Sequence, residues 1–137
     1  MRVIIAGSRW IEDRAVLERA LAEAGFAITE VVSSNSRGVD KLAEAWAREQ
    51  GLPFSMFPVE WNRFGGRAGI MRDQQMADHA EALVAVWDGY SQGTEHMIGL
   101  AKARGLRVHV HIWNPHRTRR VTRAAPSAPP PPPPPER

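Results

Sequence analysis

The sequence predicts an α/β fold: a three-layer domain in which a five-stranded, mostly parallel sheet carries helices on both faces. Segments typical of strands alternate with segments typical of helices over residues 1–113, which is the pattern of successive βαβ units. The clearest interior strand, residues 82–87, is a solid apolar run, as expected for a strand buried on both faces. Because crossovers between parallel strands are right-handed, these units favour the strand order 3-2-1-4-5.

Five segments have strand-like sequence. The predicted strands are residues 2–6, 28–33, 53–57, 82–87 and 107–112. In the last of them, Val108 and Val110 alternate with His109 and His111 instead of forming an apolar run. Alternation indicates one buried and one solvated face, so we expect this strand at an edge of the sheet.

Apolar residues at helical spacing predict the helices that connect these strands. The predicted helices cover residues 13–24, 39–50, 68–80 and 94–104. Gly25, Gly51 and Gly105 follow three of them, at the position where a glycine in the left-handed conformation commonly ends a helix. The intervening residues 58–67 are predicted to be a loop.

The charge of the chain is unevenly distributed. The sequence pI is about 10.2, but residues 1–113 hold 13 Lys and Arg against 14 Asp and Glu. Residues 114–137 hold five Arg against one Glu and include seven consecutive prolines. We therefore predict a near-neutral domain over residues 1–113 and a disordered, Arg/Pro-rich tail over residues 114–137. The tail is expected to be solvated; binding to an SH3- or profilin-type partner and weak nucleic-acid tethering are the alternatives.

Several classes of protein and site are disfavoured by what the sequence lacks. The absence of cysteine excludes disulfides, thiolate metal sites and cysteine nucleophiles. His109 and His111 share a strand face, but no carboxylate or cysteine lies near them at metal-motif spacing, so no metal site is predicted. No P-loop, dinucleotide fingerprint or serine elbow is present. With no apolar run long enough for a membrane span and no signal-peptide pattern, we expect a cytoplasmic location and no membrane partner.

Unusual polar residues follow the predicted strands. Because the carboxyl ends of parallel strands lie at one edge of a sheet, we expect glycines, small hydroxyl side chains and arginines to meet there. The candidate ligand-binding residues are Gly7, Ser8, Arg9, Ser36, Arg37, Gly38, Asp40, Trp61, Arg72, Ser91, Gly93 and Thr94. Three arginines beside a helix N-terminus are suited to a phosphate-bearing ligand. Taken singly, each arginine fits a surface or salt-bridging role better than a binding role, and Ser91 and Thr94 are also suited to helix capping.

These segments resemble the YspA/YpsA-related branch of the SLOG superfamily. The matching segments are residues 5–9, 36–40, 43–47 and 87–94, together with Trp61, Ala68, Gly69 and Arg72. Relatives of the superfamily include the cytokinin-activating phosphoribohydrolases and the DNA-processing protein DprA. The resemblance implies a Rossmann-like sheet, a site for a nucleotide or nucleotide-derived ligand, and self-association of the chain.

The chain departs from the branch at three places. Ser34 and Asn35 stand where the branch usually has two glycines, and Asp73 stands where an Asn usually follows the arginine. The phosphoribohydrolases place a catalytic Glu three residues after the Thr of their Gly-x-Gly-Thr motif, and here that position is Met97.

The resulting functional prediction is a sensor or binding module for a phosphorylated, nucleotide-derived small molecule, with no cofactor assigned. Asp40 or Asp88 would orient a ribose hydroxyl or a loop. The first alternative is hydrolysis of the N-glycosidic bond of a nucleoside monophosphate, with Glu95 or Asp88 as the catalytic carboxylate. The second is binding of single-stranded nucleic acid, helped by the tail.

Overall fold

The computed structural model describes residues 1–115. The described strands and helices alternate along the chain as the sequence predicts. In chain order they are β1 (Arg2–Gly7), α1 (Arg14–Ala24), β2 (Glu30–Ser33), α2 (Val39–Glu49), β3 (Phe54–Met56), α3 (Trp61–Phe64), α4 (Ala68–His79), β4 (Ala82–Trp87), α5 (Gln92–Ala103) and β5 (Arg107–Ile112). A single 3₁₀ turn, Gly65–Arg67, joins α3 to α4.

The five strands form one sheet in the order β3-β2-β1-β4-β5, and each pair of neighbours is parallel. This confirms the predicted α/β, Rossmann-like fold and its strand order. β1 and β4 lie at the centre, where a parallel strand must be covered on both faces. Their solid apolar sequences meet that demand: Val3, Ile4 and Ile5, for example, are fully buried.

The helices divide between the two faces of the sheet, and each face has its own apolar core. Successive residues of a strand point to opposite faces, so Val3 and Ile5 pack with α1 and α2, whereas Ile4 packs with α4 and α5. The predicted tail residue Asn114 is also buried, because its side chain reaches back into the domain. Residues 116–137 lie outside the described part of the chain, as do the predictions made for them.

The edge position of β5 is as the alternating pattern indicates, but its histidine face is not fully open to water. His109 Nε2 and His111 Nδ1 both donate to Glu23 Oε1 of α1, at 3.1 and 2.8 Å. These hydrogen bonds, that from His111 first, lower the pKa of Glu23. Within residues 1–115 no group of three or more His, Cys, Asp or Glu side chains is arranged to hold a metal ion.

Two further local differences from the sequence predictions have simple causes. The segment 58–67 is not a plain loop, because Glu60 O accepts hydrogen bonds from the amides of Arg63 and Phe64 and closes the turn of α3. α5 begins at Gln92, two residues earlier than predicted, since Ser91 already has the extended backbone of an N-cap. No helix among the described residues has both the length and the apolar character needed to cross a membrane.

Candidate functional site

The strand order places a topological switch point between the carboxyl ends of β1 and β4. These two strands are neighbours in the sheet, but the chain leaves β1 toward α1 on one face and leaves β4 toward α5 on the other. Such a switch point is where ligands bind in open α/β sheets, because the diverging connections leave a gap above the strand ends. We define the crevice as the space bordered by Gly7, Ser8 and Arg9, by Gly38, and by residues 88–94.

The floor of the crevice is a buried hydrogen-bond network that joins the loops after β1 and β4. Ser8 donates its backbone N–H to Val86 O, and its hydroxyl accepts the N–H of Asp88 at 3.2 Å. The Ser91 hydroxyl lies 3.0 Å from the Ser8 hydroxyl. Ser8, Asp88 and Ser91 are each less than 5% exposed, so the two loops are held to each other away from water.

The Asp88 carboxylate is occupied by donors from the protein. It accepts hydrogen bonds from Trp10 Nε1 at 2.6 Å, from the amides of Tyr90 and Ser91 at 2.7 and 2.8 Å, and from the Ser91 hydroxyl at 2.8 Å. Burial by itself raises the pKa of Asp88, but the hydrogen bonds from Trp10, Ser91 and Tyr90 outweigh it, so the pKa lies below its ordinary value. Asp88 therefore orders the loop after β4.

The loop after β2 joins the same site through a close backbone approach. Gly38 has φ of 74°, and a Cβ there would lie 2.4 Å from Arg9 O and 2.5 Å from Ser8 O. At Gly7, a Cβ would lie 2.2 Å from Val86 O and 2.6 Å from Val39 Cγ2. Only glycine fits either position, so the predicted glycines at the starts of these loops are needed for the three loops to pack together.

Asp40 organises the loop after β2 from below. Its carboxylate accepts hydrogen bonds from the Ser34 hydroxyl and from the amide of Ser36. Asn35, at one of the positions where the branch usually has glycine, takes a left-handed conformation with φ of 63°. Asn tolerates this region, and Lys41 Nζ donates to its side-chain oxygen. Asp40 is 2% exposed, so it lies beneath the loop and holds it through these hydrogen bonds.

The predicted cationic residues occupy different depths. Arg37 is exposed and Arg9 is half-buried, and both follow strands that end at the crevice edge of the sheet. Arg72 is 2% exposed, and its Nε donates to Asp73 Oδ1 at 3.0 Å. Trp61 is 58% exposed and lies on α3, which follows the outer strand β3.

The start of α5 completes the site. Ser91 is its N-cap, but the hydroxyl points to Asp88 and Ser8 and makes no capping hydrogen bond to the helix. The first amides of a helix have no partner within the helix and carry its positive end. Thr94 is buried in this first turn, Gly93 is half-buried, and Glu95 is exposed to solvent.

His96 is among the side chains of this region that sequence reasoning did not identify. His96 lies in α5, and its Nδ1 donates to Asp73 Oδ2 at 2.9 Å. Asp73 is 1% exposed and bonds Arg72 through its other oxygen. The sequence shows an unusual acid at position 73, but it does not identify the histidine partner, which is 23 positions away.

Comparison with known proteins finds a family model that matches the N-terminal part of the chain. The model of the YspA, cpYpsA-related SLOG family matches residues 1–64, a span that contains β1, the loop before α2 and Gly38. No match was found among curated proteins. Over residues 1–64 the chain thus carries the sequence pattern of the YspA, cpYpsA-related SLOG family, and the resemblance predicted from its loops is confirmed.

Proposed function

We propose that the crevice binds a phosphorylated, nucleotide-derived small molecule and that the protein acts as a sensor or binding module. The observation that carries this proposal is the packing of three strand-end loops against one another at the switch point. Ser8 bonds the loop after β4, and Gly38 contacts the backbone of Ser8 and Arg9. A family match to a nucleotide-related group over residues 1–64 supports the same class of ligand.

The phosphate would lie at the N-terminus of α5. Backbone amides at a helix start bind anions, and the side chain of the N-cap Ser91 is turned away from them. Gly93 presents no side chain at this point, and Thr94 adds a hydroxyl in the same turn.

The rest of the ligand would be held from the rim. Arg9 and Arg37 can each supply a charge-assisted hydrogen bond, worth roughly 1.5–3 kcal/mol. The exposed ring of Trp61 offers a flat apolar surface on which a base or another ring could stack. Asp40 orders the loop that carries Ser36 and Arg37 by accepting the amide of Ser36, and Asp88 orders the loop after β4.

Isothermal titration of the full chain against AMP, ADP-ribose and a cyclic dinucleotide tests the proposal, with adenosine as the control that lacks phosphate. We expect at least one phosphorylated compound to bind and adenosine to bind more weakly. Arg37→Gln should weaken binding about tenfold, the value of one charged contact. Arg19→Gln, which removes an exposed arginine of α1, should have no effect. A folded protein that binds none of the three compounds contradicts the proposal.

Hydrolysis of an N-glycosidic bond is the second candidate, and one observation bears on it. Asp88 is saturated by four hydrogen bonds, whereas Glu95 is exposed beside the first turn of α5. A hydrolase would therefore depend on Glu95. It would release free base from AMP, and Glu95→Gln would abolish the release.

Binding of single-stranded nucleic acid through the tail has its own test. Because Asn114 donates to Asp88 O, a truncation should begin at residue 116 to leave the domain intact. Nucleic-acid binding predicts an affinity that falls steeply with salt and that is weakened by this truncation.

A further inference from the structure

The C-terminal halves of α1 and α2 border an open groove with a volume of about 450 Å³. It lies at the edge of the sheet where the strands begin, because the short segments that precede β2 and β3 contribute to its wall. We call it the α1–α2 groove and define it by its large apolar side chains, Leu21, Phe26, Ile28, Trp46 and Leu52. Each of them packs against the core but is only partly buried, so the groove keeps a cluster of apolar surface in contact with water.

The groove has the chemistry of a surface that binds polyproline. Proline-rich segments dock in grooves lined by aromatic side chains, and Phe26 and Trp46 supply two rings here. A run of prolines has backbone carbonyls but no backbone N–H, so it needs donors from its partner. The indole N–H of Trp46 and the side-chain amide of Gln50, an exposed residue of the rim, are donors. The chain itself contains a segment that matches this chemistry, the seven consecutive prolines of residues 129–135.

The described chain ends on the face of the sheet that carries this groove. Trp113 follows β5 and packs in the same apolar cluster as α1 and α2, with its ring centroid 5.7 Å from that of Trp10. The next residue, Asn114, is held by the hydrogen bond from its Nδ2 to Asp88 O at 3.0 Å. Because α1 packs on β4 and β5, residues 116–137 continue from a fixed point beside α1.

The chain is long enough to bring its prolines to the groove. Residues 116–128 separate the fixed point from the proline run, and this number of extended residues spans at most roughly 45 Å. α1 has 11 residues and is therefore about 16 Å long, and a neighbouring helix packs about 10 Å away. A tether of this kind gives an effective concentration on the order of millimolar, so a weak contact is sufficient to hold the prolines.

Charge favours the same path. Residues 117–123 hold four arginines and no acidic residue. The stretch from Glu12 to Glu23, which leads into α1 and forms most of it, holds four acidic residues and two arginines. Arg14 is shared between Glu18 and Glu49, so it does not neutralise all of this acidic group. A basic segment that runs toward the groove would therefore pass an acidic helix.

We infer that residues 129–135 dock in the α1–α2 groove of their own chain, with the arginines of residues 117–123 beside the acidic residues of α1. Three independent observations identify this occupant: the aromatic lining, the point at which the described chain ends, and the charge of α1. Docking covers apolar surface that otherwise faces water. It also withholds the prolines from an SH3- or profilin-type partner. The groove lies at the edge of the sheet opposite the crevice, so the inference does not depend on what the crevice binds.

A nitroxide label on the full chain tests the inference. The chain has no cysteine, so Glu136→Cys provides a single attachment point directly after the proline run. The label broadens the NMR signals of nearby amides, and we expect a loss of signal intensity at Phe26 and Gln50. Gly69, in the first turn of α4 on the other face and at the other edge of the sheet, should keep its intensity.

Two variants separate the groove from the tail. Replacement of all seven prolines by serine, at unchanged chain length, should restore the signals of Phe26 and Gln50. Ala22→Arg places a long cationic side chain at the groove from an exposed position of α1, and it should restore them as well. The matched control is Ala103→Arg, the same change at an exposed position of α5 on the other face, which should leave the loss of intensity as it is.

Three results would overturn the inference. Equal intensities with and without the label at Phe26 and Gln50, in the folded protein, mean that the groove does not bind the tail. A loss of intensity that persists with serine in place of proline shows that the prolines are not the occupant. In a mixture of labelled chains with isotope-enriched unlabelled chains, a loss of intensity at the groove shows that the tail comes from a second copy.

Discussion

Polar side chains differ in their exposure to water between the two edges of the sheet. At the carboxyl edge, where the strands end, many polar groups are buried, whereas at the amino edge, where the strands begin, the polar groups stay in contact with water. The buried polar residues of the described chain are Ser8, Ser33, Ser34, Asp40, Glu44, Arg72, Asp73, Asp88, Ser91, Thr94 and Asn114. Each lies at a strand end or in a helix that begins or continues from the carboxyl edge.

The amino edge is also tied by polar contacts, but in exposed positions. Glu81 accepts the backbone N–H of Arg2 at 2.8 Å, and Arg2 Nε donates to His79 O at 2.6 Å. His79 Nε2 lies 2.6 Å from Glu30 Oε2, at a partly buried place. Contacts of this kind compete with water and contribute little to stability.

The difference between the edges indicates which one is built for a ligand. A polar group taken out of water costs free energy unless its hydrogen bonds are replaced, so a fold gains nothing by burying many of them for stability alone. Here the burial is confined to one edge, and the buried groups hold backbone amides and loops in fixed positions. A preorganised set of this kind is what binding with little rearrangement requires.

The largest expected effect comes from removing the centre of the buried network. Asp88→Ala leaves donors of Trp10, Tyr90 and Ser91 without their acceptor, and we expect the free energy of unfolding to fall by about 3–5 kcal/mol. Glu81→Ala, which removes an acceptor at the amino edge, should cause a far smaller loss. Urea denaturation measures both. Equal losses would remove the distinction between the edges.

Gly38 tests the close approach of the loops. Gly38→Ala places a Cβ against the backbone oxygens of Ser8 and Arg9, and we expect a loss of about 3 kcal/mol together with weaker ligand binding. Gly25→Ala is the matched control, because Gly25 has a similar φ of 65° but open space around it. Gly25→Ala should lower the free energy of unfolding by only about 1 kcal/mol, because alanine is less stable than glycine in the left-handed conformation. Thermal unfolding that gives the same loss for both variants would show that contact at Gly38 does not matter.

Asp73→Asn tests how the buried charges of the carboxyl edge affect binding of an anion. Asp73 Oδ1 accepts a hydrogen bond from Arg72 Nε, and without the carboxylate the field of the guanidinium is no longer offset, so we expect AMP to bind about tenfold more tightly. Asp78→Asn alters an exposed carboxylate further along α4, where it bonds Arg104, and should leave the affinity unchanged. Titration calorimetry measures the affinity. An unchanged or weaker affinity of Asp73→Asn for AMP would show that the Asp73 carboxylate does not offset the charge of Arg72 at the binding site.

The smallest expected effect concerns acid stability at the amino edge. Hydrogen bonds from His79 first and Ser55 second lower the pKa of Glu30 below its ordinary 4.5. A lowered pKa means that the carboxylate stabilises the fold above about 4.5 and that this contribution is lost as the pH falls through the folded-state value. Glu30→Gln should therefore be slightly less stable near neutral pH and show a weaker dependence on acid. Asp88, whose pKa is also lowered, should account for a larger share of the acid sensitivity, which Asp88→Asn would reveal.

Much of the fold could be predicted because apolar patterning is local. A run such as residues 82–87 indicates a central strand by itself, and the order 3-2-1-4-5 follows from right-handed crossovers. The same reasoning predicts that Ser8, Gly38 and Ser91 lie at one edge of the sheet. It does not predict α3, because the single turn of this helix depends on backbone hydrogen bonds to Glu60 and has no apolar pattern in the sequence.

The roles of the polar residues could not be predicted in the same way. The donor from Trp10 to Asp88 spans 78 positions and the bond from His96 to Asp73 spans 23, and neither pairing has a sequence period. Arg72 is buried and its Nε donates to Asp73, while its role in ligand binding stays a prediction. Its position in α4 was visible, but its partner and its depth were not.

By itself the sequence determined the α/β class, the order of the strands and the edge at which polar residues gather, because hydrophobic burial acts on every apolar residue and repeats with the period of each element. Only the tertiary structure decided which polar groups form hydrogen bonds within the protein and which face the solvent. That choice depends on hydrogen bonds between distant residues, and a hydrogen bond is made or lost within a few tenths of an ångström.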